Sequence, residues 1–522
     1  MTVKRFILGL LTLLAVARVL LSLGGSLAQP QIQSRLELYQ TNLVLYASEF
    51  QSDTDNNDLK KALAKGLGED PTAAALNQYD KARQEVVEFR NTFQKQLSPV
   101  VANSNDSDLT AVNNRAVVAD STQSPRQQLQ QQVTDLNNFV NEIDVKRGIL
   151  EAENNNTIAA QKIWNQLIKS INDSENGYYQ TATVLTQLWS ENPEVSENAP
   201  TIITNNLDSW FRDRSLAQLY TVTDNTIQLT ALKDTQQQLA STAIVKLAFI
   251  SAIPFLGGIV GFILLVSLSI QLLLKKEKAI LATNNNVNWQ TPWDWEITWQ
   301  VIIVGFFFVG QFVLPFLLGI VGFNIVEASI RAKAIYVLFT YILMAAGGIT
   351  VLYLSIKTYL PLSQEWFKAK LIDNWFVWGF GGYLVAIPCV LFVSLINQQI
   401  WNGQGGSNPL LYLALQAQDK VALAVFFFTA SIAAPIFEEI IFRGFLLPSL
   451  TRYMSVTTAI ILSGLLFAIA HLSLAEVLPL ATLGIILGVV YTRSRNILAP
   501  MLLHSLWNSG TLLSLFVLGS GT

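Results

Sequence analysis

From residue 243 to residue 518 the chain is a succession of apolar runs, near 243–274, 298–322, 334–355, 374–396, 420–440, 456–472, 477–492 and 497–518. A bilayer interior offers no water to backbone N–H and C=O groups, so a spanning chain must satisfy them as helices or as a closed barrel. Runs approaching 20 consecutive apolar residues have the length of a spanning helix. The spacing therefore predicts an all-α polytopic membrane protein with about eight C-terminal transmembrane helices. The first residues, "VKRFILGLLTLLAVARVLLSLGGSLAQP", add an N-terminal transmembrane anchor over 1–28, with Lys4 and Arg5 ahead of the apolar run. The "SLA" near its end has the small-residue character of a signal-peptide cleavage site, yet the run is long enough to span, and a retained anchor is the expectation.

Residues 29–239 are of another kind, rich in Gln, Asn, Asp and Ser and without a run long enough to cross a bilayer. Leu129, Val133, Leu136, Val140 and Ile143 recur at helical spacing. "DLKKALAKGL", "DKARQEVVEFRNTFQKQL" and "AAQKIWNQLIKSI" read as further amphipathic helices, separated by the breaks "SDTDNND", "ANSNDSD" and "SENPEVSENAP". A mainly helical soluble insertion is expected here, a structural or docking module for a protein partner. Residues 240–373 then form a first membrane half and 374–522 a second.

Basic residues accumulate on the cytoplasmic side of membrane proteins. Lys4 and Arg5, with Lys275, Lys276 and Lys278, place the N-terminus and the 275–297 loop in the cytoplasm and the insertion across the membrane. Lys357, Lys368 and Lys370, then Arg443 and Arg452, then Arg493 and Arg495 recur at alternate loops, while Arg331 and Lys333 run against the pattern. A bacterial inner membrane suits this organisation. A net charge of -3 gives no reason to expect nucleic acid as a partner, and the single cysteine, Cys389, excludes an intramolecular disulfide.

The chemistry is concentrated near the C-terminus. "IAAPIFEEIIFRGFLLP" places Glu438, Glu439 and Arg443 in an otherwise apolar stretch, where ionised groups are costly. The protein has 2 histidines, His471 in "SGLLFAIAHLS" and His504 in "APMLLHSLWNSG", the latter four residues before Asn508. Each alone reads as a packing residue or an ion pair at a helix end. Together, in neighbouring apolar segments, they must satisfy one another, and a convergent site is the economical reading. Convergence requires depth. If the helix ended near Phe442, Glu438 and His471 would lie roughly 20 Å apart at 1.5 Å per residue. A helix running on through "RGFLLPSLTRYM" puts Glu438 near its middle, although Pro448 would kink or end it.

A carboxylate with an imidazole can deprotonate water, and a second imidazole with an amide can serve a developing oxyanion. Glu438, His471 and His504 could equally hold a divalent metal such as zinc, with water in an open position. Either route ends in attack of water on a carbonyl, most plausibly a peptide bond. Arg443 would orient a glutamate or hold a substrate carboxylate. No H-E-x-x-H or G-x-S-x-G occurs, and the aspartates of the membrane half, Asp294, Asp373 and Asp419, lie in loops or at run edges. Two non-hydrolytic readings stand beside this one: a scaffold or chaperone acting through 29–239, and a transporter using Glu and His as a proton relay.

"EEIIFR" (438–443), "FAIAH" (467–471) and "HSLWN" (504–508), in that order, resemble the three motifs of the CPBP family, the CAAX-processing and bacteriocin-processing (Abi) membrane proteases. The resemblance spans roughly 374–518. It implies an intramembrane endopeptidase acting on a membrane-associated protein or peptide. By matching position, it implies Glu438 as water-activating base helped by His471, His504 and Asn508 at the oxyanion, and Glu439 and Arg443 in support. It leaves open whether a metal takes part.

Overall fold

The computed structural model describes residues 2–27, 33–51, 70–102, 125–321, 328–401, 404–407 and 419–519, together with Gly68, Leu411 and Leu413. The "DLKKALAKGL" helix and the "SDTDNND" break, and "ANSNDSD" beyond Ala102, lie outside them. Among the described residues every regular element is a helix. They divide into two compact units, one drawn from 1–31 and 252–516, the other from 32–106 and 124–251.

The polar unit contains α1 of its own set, Gln33–Ser48, followed by Pro71–Ala102, Pro125–Glu153, Thr157–Ser170, Gly177–Leu188, Ala199–Asn206 and Ser209–Val222. Of the residues read as one helical stripe, Leu129, Val140 and Ile143 are buried and Val133 and Leu136 partly so. Trp164, Trp210, Phe211, Tyr46 and Tyr79 fill the core. Gly148 lets the Trp164 indole close on the neighbouring helix, where a Cβ would overlap the ring, and Trp164 Nε1 donates to the Val145 carbonyl at 3.2 Å. Lys146, almost fully buried, bridges Glu142 at 2.7 Å and Asp208 at 2.8 Å. Burial alone would lower its pKa, but Glu142, Tyr79 and Asp208 outweigh it and hold the ammonium well above its ordinary value.

The other unit is the membrane domain. Among the described residues eight helices are long and apolar enough to span a bilayer: Val3–Ser26, Thr226–Lys278, Trp295–Ile320, Ile330–Tyr359, Trp375–Trp401, Lys420–Leu450, Leu474–Ser494 and Leu498–Gly519. The chain is thus an integral, multi-pass membrane protein. Seven of the eight C-terminal runs become spanning helices. The run 456–472 does not, because its helix, Val456–Ile469, has 14 residues and rises only about 21 Å, short of a hydrocarbon core of about 30 Å. Lys4 and Arg5 pair with Glu296 at 3.2 and 2.8 Å, which sets the N-terminal end of the first helix beside the 275–297 segment. Trp299 Nε1 donates to Thr12 Oγ1 at 2.8 Å and packs that helix into the domain.

The helix Lys420–Leu450 is the centre of the domain. It continues through Arg443 and Pro448, as a mid-membrane Glu438 requires, and all nine residues 441–449 are buried. Its ladder widens to π geometry over Thr429–Ala433 and Ile440–Leu446, each stretch ending two residues before a proline, Pro435 and Pro448. Proline has no N–H to give the ladder, and a π stretch is where the i→i−4 pattern is already displaced. The helix bends its bonding rather than stopping. Glu439 and Arg443 therefore meet protein on every side and Glu438 is partly buried, with Phe437, Phe442, Phe445, Phe467, Leu487 and Leu503 in the surrounding core.

Candidate active site

Glu439 and Arg443 stand four residues apart on this helix, one turn, and neither is exposed to solvent. Arg443 Nη1 donates to Glu439 Oε1 at 3.0 Å and Nη2 to the Gly484 carbonyl at 2.9 Å. That carbonyl lies at a contact of two glycines: a Cβ on Gly464 would come within 2.9 Å of the Ile485 nitrogen and 3.0 Å of the Gly484 carbonyl carbon. Small residues at such crossings let two membrane helices approach backbone to backbone. The guanidinium also stands 4.5 Å from the centroid of the Phe467 ring. A buried carboxylate is thus neutralised by a buried cation that is itself held on two other sides.

His504, also buried, places Nδ1 at 2.9 Å from the same Glu439 Oε1. A carboxylate can only accept, so Nδ1 carries the hydrogen, and the opposite nitrogen faces away from Glu439. That nitrogen, Nε2, is 4.0 Å from Glu438 Oε2. The other oxygen of Glu438 accepts from the Tyr341 hydroxyl at 3.1 Å. Glu438 Oε2 has no hydrogen-bond partner among the described residues although it is buried. Each glutamate thus has one bonded and one unpartnered oxygen among the described residues, and they differ in what they engage: Glu439 Oε1 ties Arg443 to His504, and Glu438 Oε2 lies open toward His504 Nε2.

Asn508 lies one turn beyond His504. Its amide donates to the Ala430 carbonyl at 2.7 Å, leaving its second hydrogen uncommitted to that bond. Ser505 donates to the Ser431 carbonyl at 2.5 Å, so the last helix is bonded to the central one at successive points. Phe467 packs edge-on against both histidine rings, at 4.9 Å from His471 and 5.5 Å from His504 between centroids.

The structure brings Glu438, Glu439, Arg443 and His504 together, and sets His471 apart from their polar contacts. The helix carrying "FAIAH" ends at Ile469, so His471 is not on its face but in the turn beyond, ahead of Leu472 at φ 59°. His471 Nδ1 is bonded to the Phe467 carbonyl at 2.9 Å and caps that helix end. The imidazole beside Glu438 is that of His504. Among the described residues no group of three or more His, Cys, Asp or Glu side chains is arranged to hold a metal ion. Glu438, His471 and His504 as placed are not gathered as a metal-ligand set. Tyr341 and Gly484 were not legible beforehand: Tyr341 shares its span with Tyr336 and Tyr353, and nothing in the sequence singles out the one that faces Glu438.

The sequence model described as "Type II CAAX prenyl endopeptidase Rce1-like" matches residues 420–510, the segment that holds these side chains other than Tyr341. The membrane-embedded CAAX protease MroQ of Staphylococcus aureus (strain USA300) is 27% identical over 188 residues, 34% of this chain and 73% of that protein. Residues 420–510 thus carry the sequence features of the CPBP family of intramembrane proteases. Bacillus subtilis (strain 168) has a second relative, "Putative membrane peptidase YdiL", 26% identical over 133 residues, 26% of this chain and 53% of that protein. This chain thus spans about half the length of that second relative. No solved structure matches. All three CPBP motifs fall inside the matched segment, and residues 29–239 fall outside it.

Proposed function

We propose that the protein is an intramembrane endopeptidase that hydrolyses a peptide bond in a membrane-associated protein or peptide, with Glu438 as the general base. The observation that carries this reading is the unpartnered Glu438 Oε2, 4.0 Å from His504 Nε2. Two acceptors at that separation suit one water between them, a hydrogen directed at each and a lone pair left for attack. Glu438 takes the proton as the water oxygen bonds to the scissile carbonyl carbon. It then returns that proton to the departing amine as the C–N bond breaks.

Glu439 and Arg443 are positioning residues in this scheme. Their ion pair holds the Glu439 oxygen that orients His504, as a carboxylate orients the histidine of a hydrolytic triad. Tyr341 fixes the Glu438 carboxylate so that Oε2 is the oxygen presented. Asn508, through its second amide hydrogen, serves the developing oxyanion, while His504 Nε2 accepts from the water and has no hydrogen to give it. His471, with Nδ1 held by the Phe467 carbonyl, would act in the reaction through Nε2.

A zinc-dependent reaction is the second mechanistic form, in which Glu438, His471 and His504 would have to draw together as ligands; the Nδ1 bonds of the two histidines to the Phe467 carbonyl and to Glu439 are of the kind that also orients metal-bound imidazoles, so they are compatible with either form. The names of the two relatives, a CAAX protease and a membrane peptidase, support peptide hydrolysis over a scaffold or a transporter. The insertion supplies a surface for a protein partner in this reading. The basic residues around 275–297 favour a cytoplasmic N-terminus in a bacterial inner membrane. Purified protein in bilayer nanodiscs should cut a membrane-anchored peptide library, and Glu438→Gln should not; equal cleavage by both would sink the assignment.

A further inference from the structure

A cavity of about 710 Å³ opens on the flank of the membrane domain, and its lining includes neither glutamate nor histidine. It is bounded by apolar side chains apart from the hydroxyl residues Tyr353, Ser431 and Ser505. Along one wall it runs from Ile356 back to Ile349, seven residues of helix and therefore about 10 Å deep. An apolar recess of this length, open on a membrane-spanning surface, matches a hydrocarbon chain in chemistry.

The mouth supplies the second half of the ligand. Ile356, Phe367 and Ala369 line it, and each is next in sequence to a lysine: Lys357, Lys368 and Lys370. The segment is fixed in place, because Ile497 N donates to the Lys368 carbonyl at 2.9 Å and Asn496 Nδ2 to the Lys370 carbonyl at 2.7 Å. The acids of this loop are engaged elsewhere or shared: Glu365 lies 3.8 Å from Arg495 and Asp373 lies 3.8 Å from Lys368. Lys357 and Lys370 are exposed and make no ion pair among the described residues. Trp375, also at the mouth, is of the type that settles at the headgroup level.

We propose that this cavity is a binding site for an anionic phospholipid, one acyl chain in the recess and the headgroup phosphate on Lys357 and Lys370. A zwitterionic lipid would fill the recess as well but would gain less from the lysines. The cavity shares the helices of Glu438 and His504, through Ile436 and Ser505, so an occupant would bear on the packing behind the site.

The test is native mass spectrometry of the full chain released from vesicles of equal phosphatidylglycerol and phosphatidylcholine. The wild type should retain one phosphatidylglycerol per chain, and Lys357→Gln/Lys370→Gln should retain about thirtyfold less, the scale of two lysines at an anionic headgroup. Ile349→Trp, which fills the recess from one wall, should lose the lipid with both lysines intact. If that variant does not fold, the lysine pair alone decides. Equal retention of the two lipids, no retained lipid, retention unchanged in the lysine variant, or occupancy only by an added lipidated peptide would each overturn the proposal.

Discussion

Arg443→Met removes the cation from the centre of the domain while keeping a long apolar side chain there. Arg443 donates to Glu439 at 3.0 Å and to the Gly484 carbonyl at 2.9 Å, with no exposure to solvent. Removing one partner of a buried ion pair destabilises by about 3–5 kcal/mol, because the surviving charge is left uncompensated. The orphaned Gly484 carbonyl places the expected loss toward the upper end of that range. Glu439→Gln/Arg443→Met removes both charges and should recover part of the loss, with a coupling of about 1–3 kcal/mol between the two positions. Reversible unfolding in mixed detergent micelles, followed by tryptophan fluorescence, gives the four corners of this double-mutant cycle. A loss below about 1 kcal/mol for Arg443→Met would refute the reasoning, given the burial penalty on which it rests. So would a double variant as unstable as the sum of the singles.

Tyr341→Phe deletes a hydrogen bond to Glu438; a bond to a charged group contributes about 1.5–3 kcal/mol, so cleavage should fall roughly ten- to a hundredfold with folding intact by circular dichroism. A strong chelator should leave cleavage unchanged, measured on the same peptide before and after dialysis; loss restored by zinc would favour the metal-bound form. Gly464→Val should unfold the domain or prevent its insertion, since its Cβ would press on the Ile485 nitrogen and the Gly484 backbone from 2.9–3.0 Å, whereas Gly319→Val, with nothing within 4 Å of its Cβ, should be tolerated.

The elements legible in the sequence are those set by simple periodicity. The long apolar runs became spanning helices because the bilayer leaves no other way to satisfy the backbone. Glu439 and Arg443 meet because i and i+4 meet on any helix, and "HSLWN" places His504 and Asn508 one turn apart for the same reason. What the sequence hid depends on where a helix ends or widens. His471 shares a face with Phe467 only if the helix continues, and it stops at Ile469. Pro435 and Pro448 could each have ended the central helix; two π stretches carry it on, and their placement follows from neighbouring packing that no local pattern encodes. Tyr341 reaches Glu438 across 97 positions of sequence, a tertiary contact without a local signature.

The most direct test of the central claim compares membrane-fraction peptide termini from cells making wild-type protein with those from cells making Glu438→Gln at equal abundance. An isosteric amide cannot accept the proton of water, so new termini should be present with wild type and missing with the variant. Matching sets of termini, with both proteins folded and inserted, would contradict Glu438 as the base and would leave the family fold in a non-hydrolytic role.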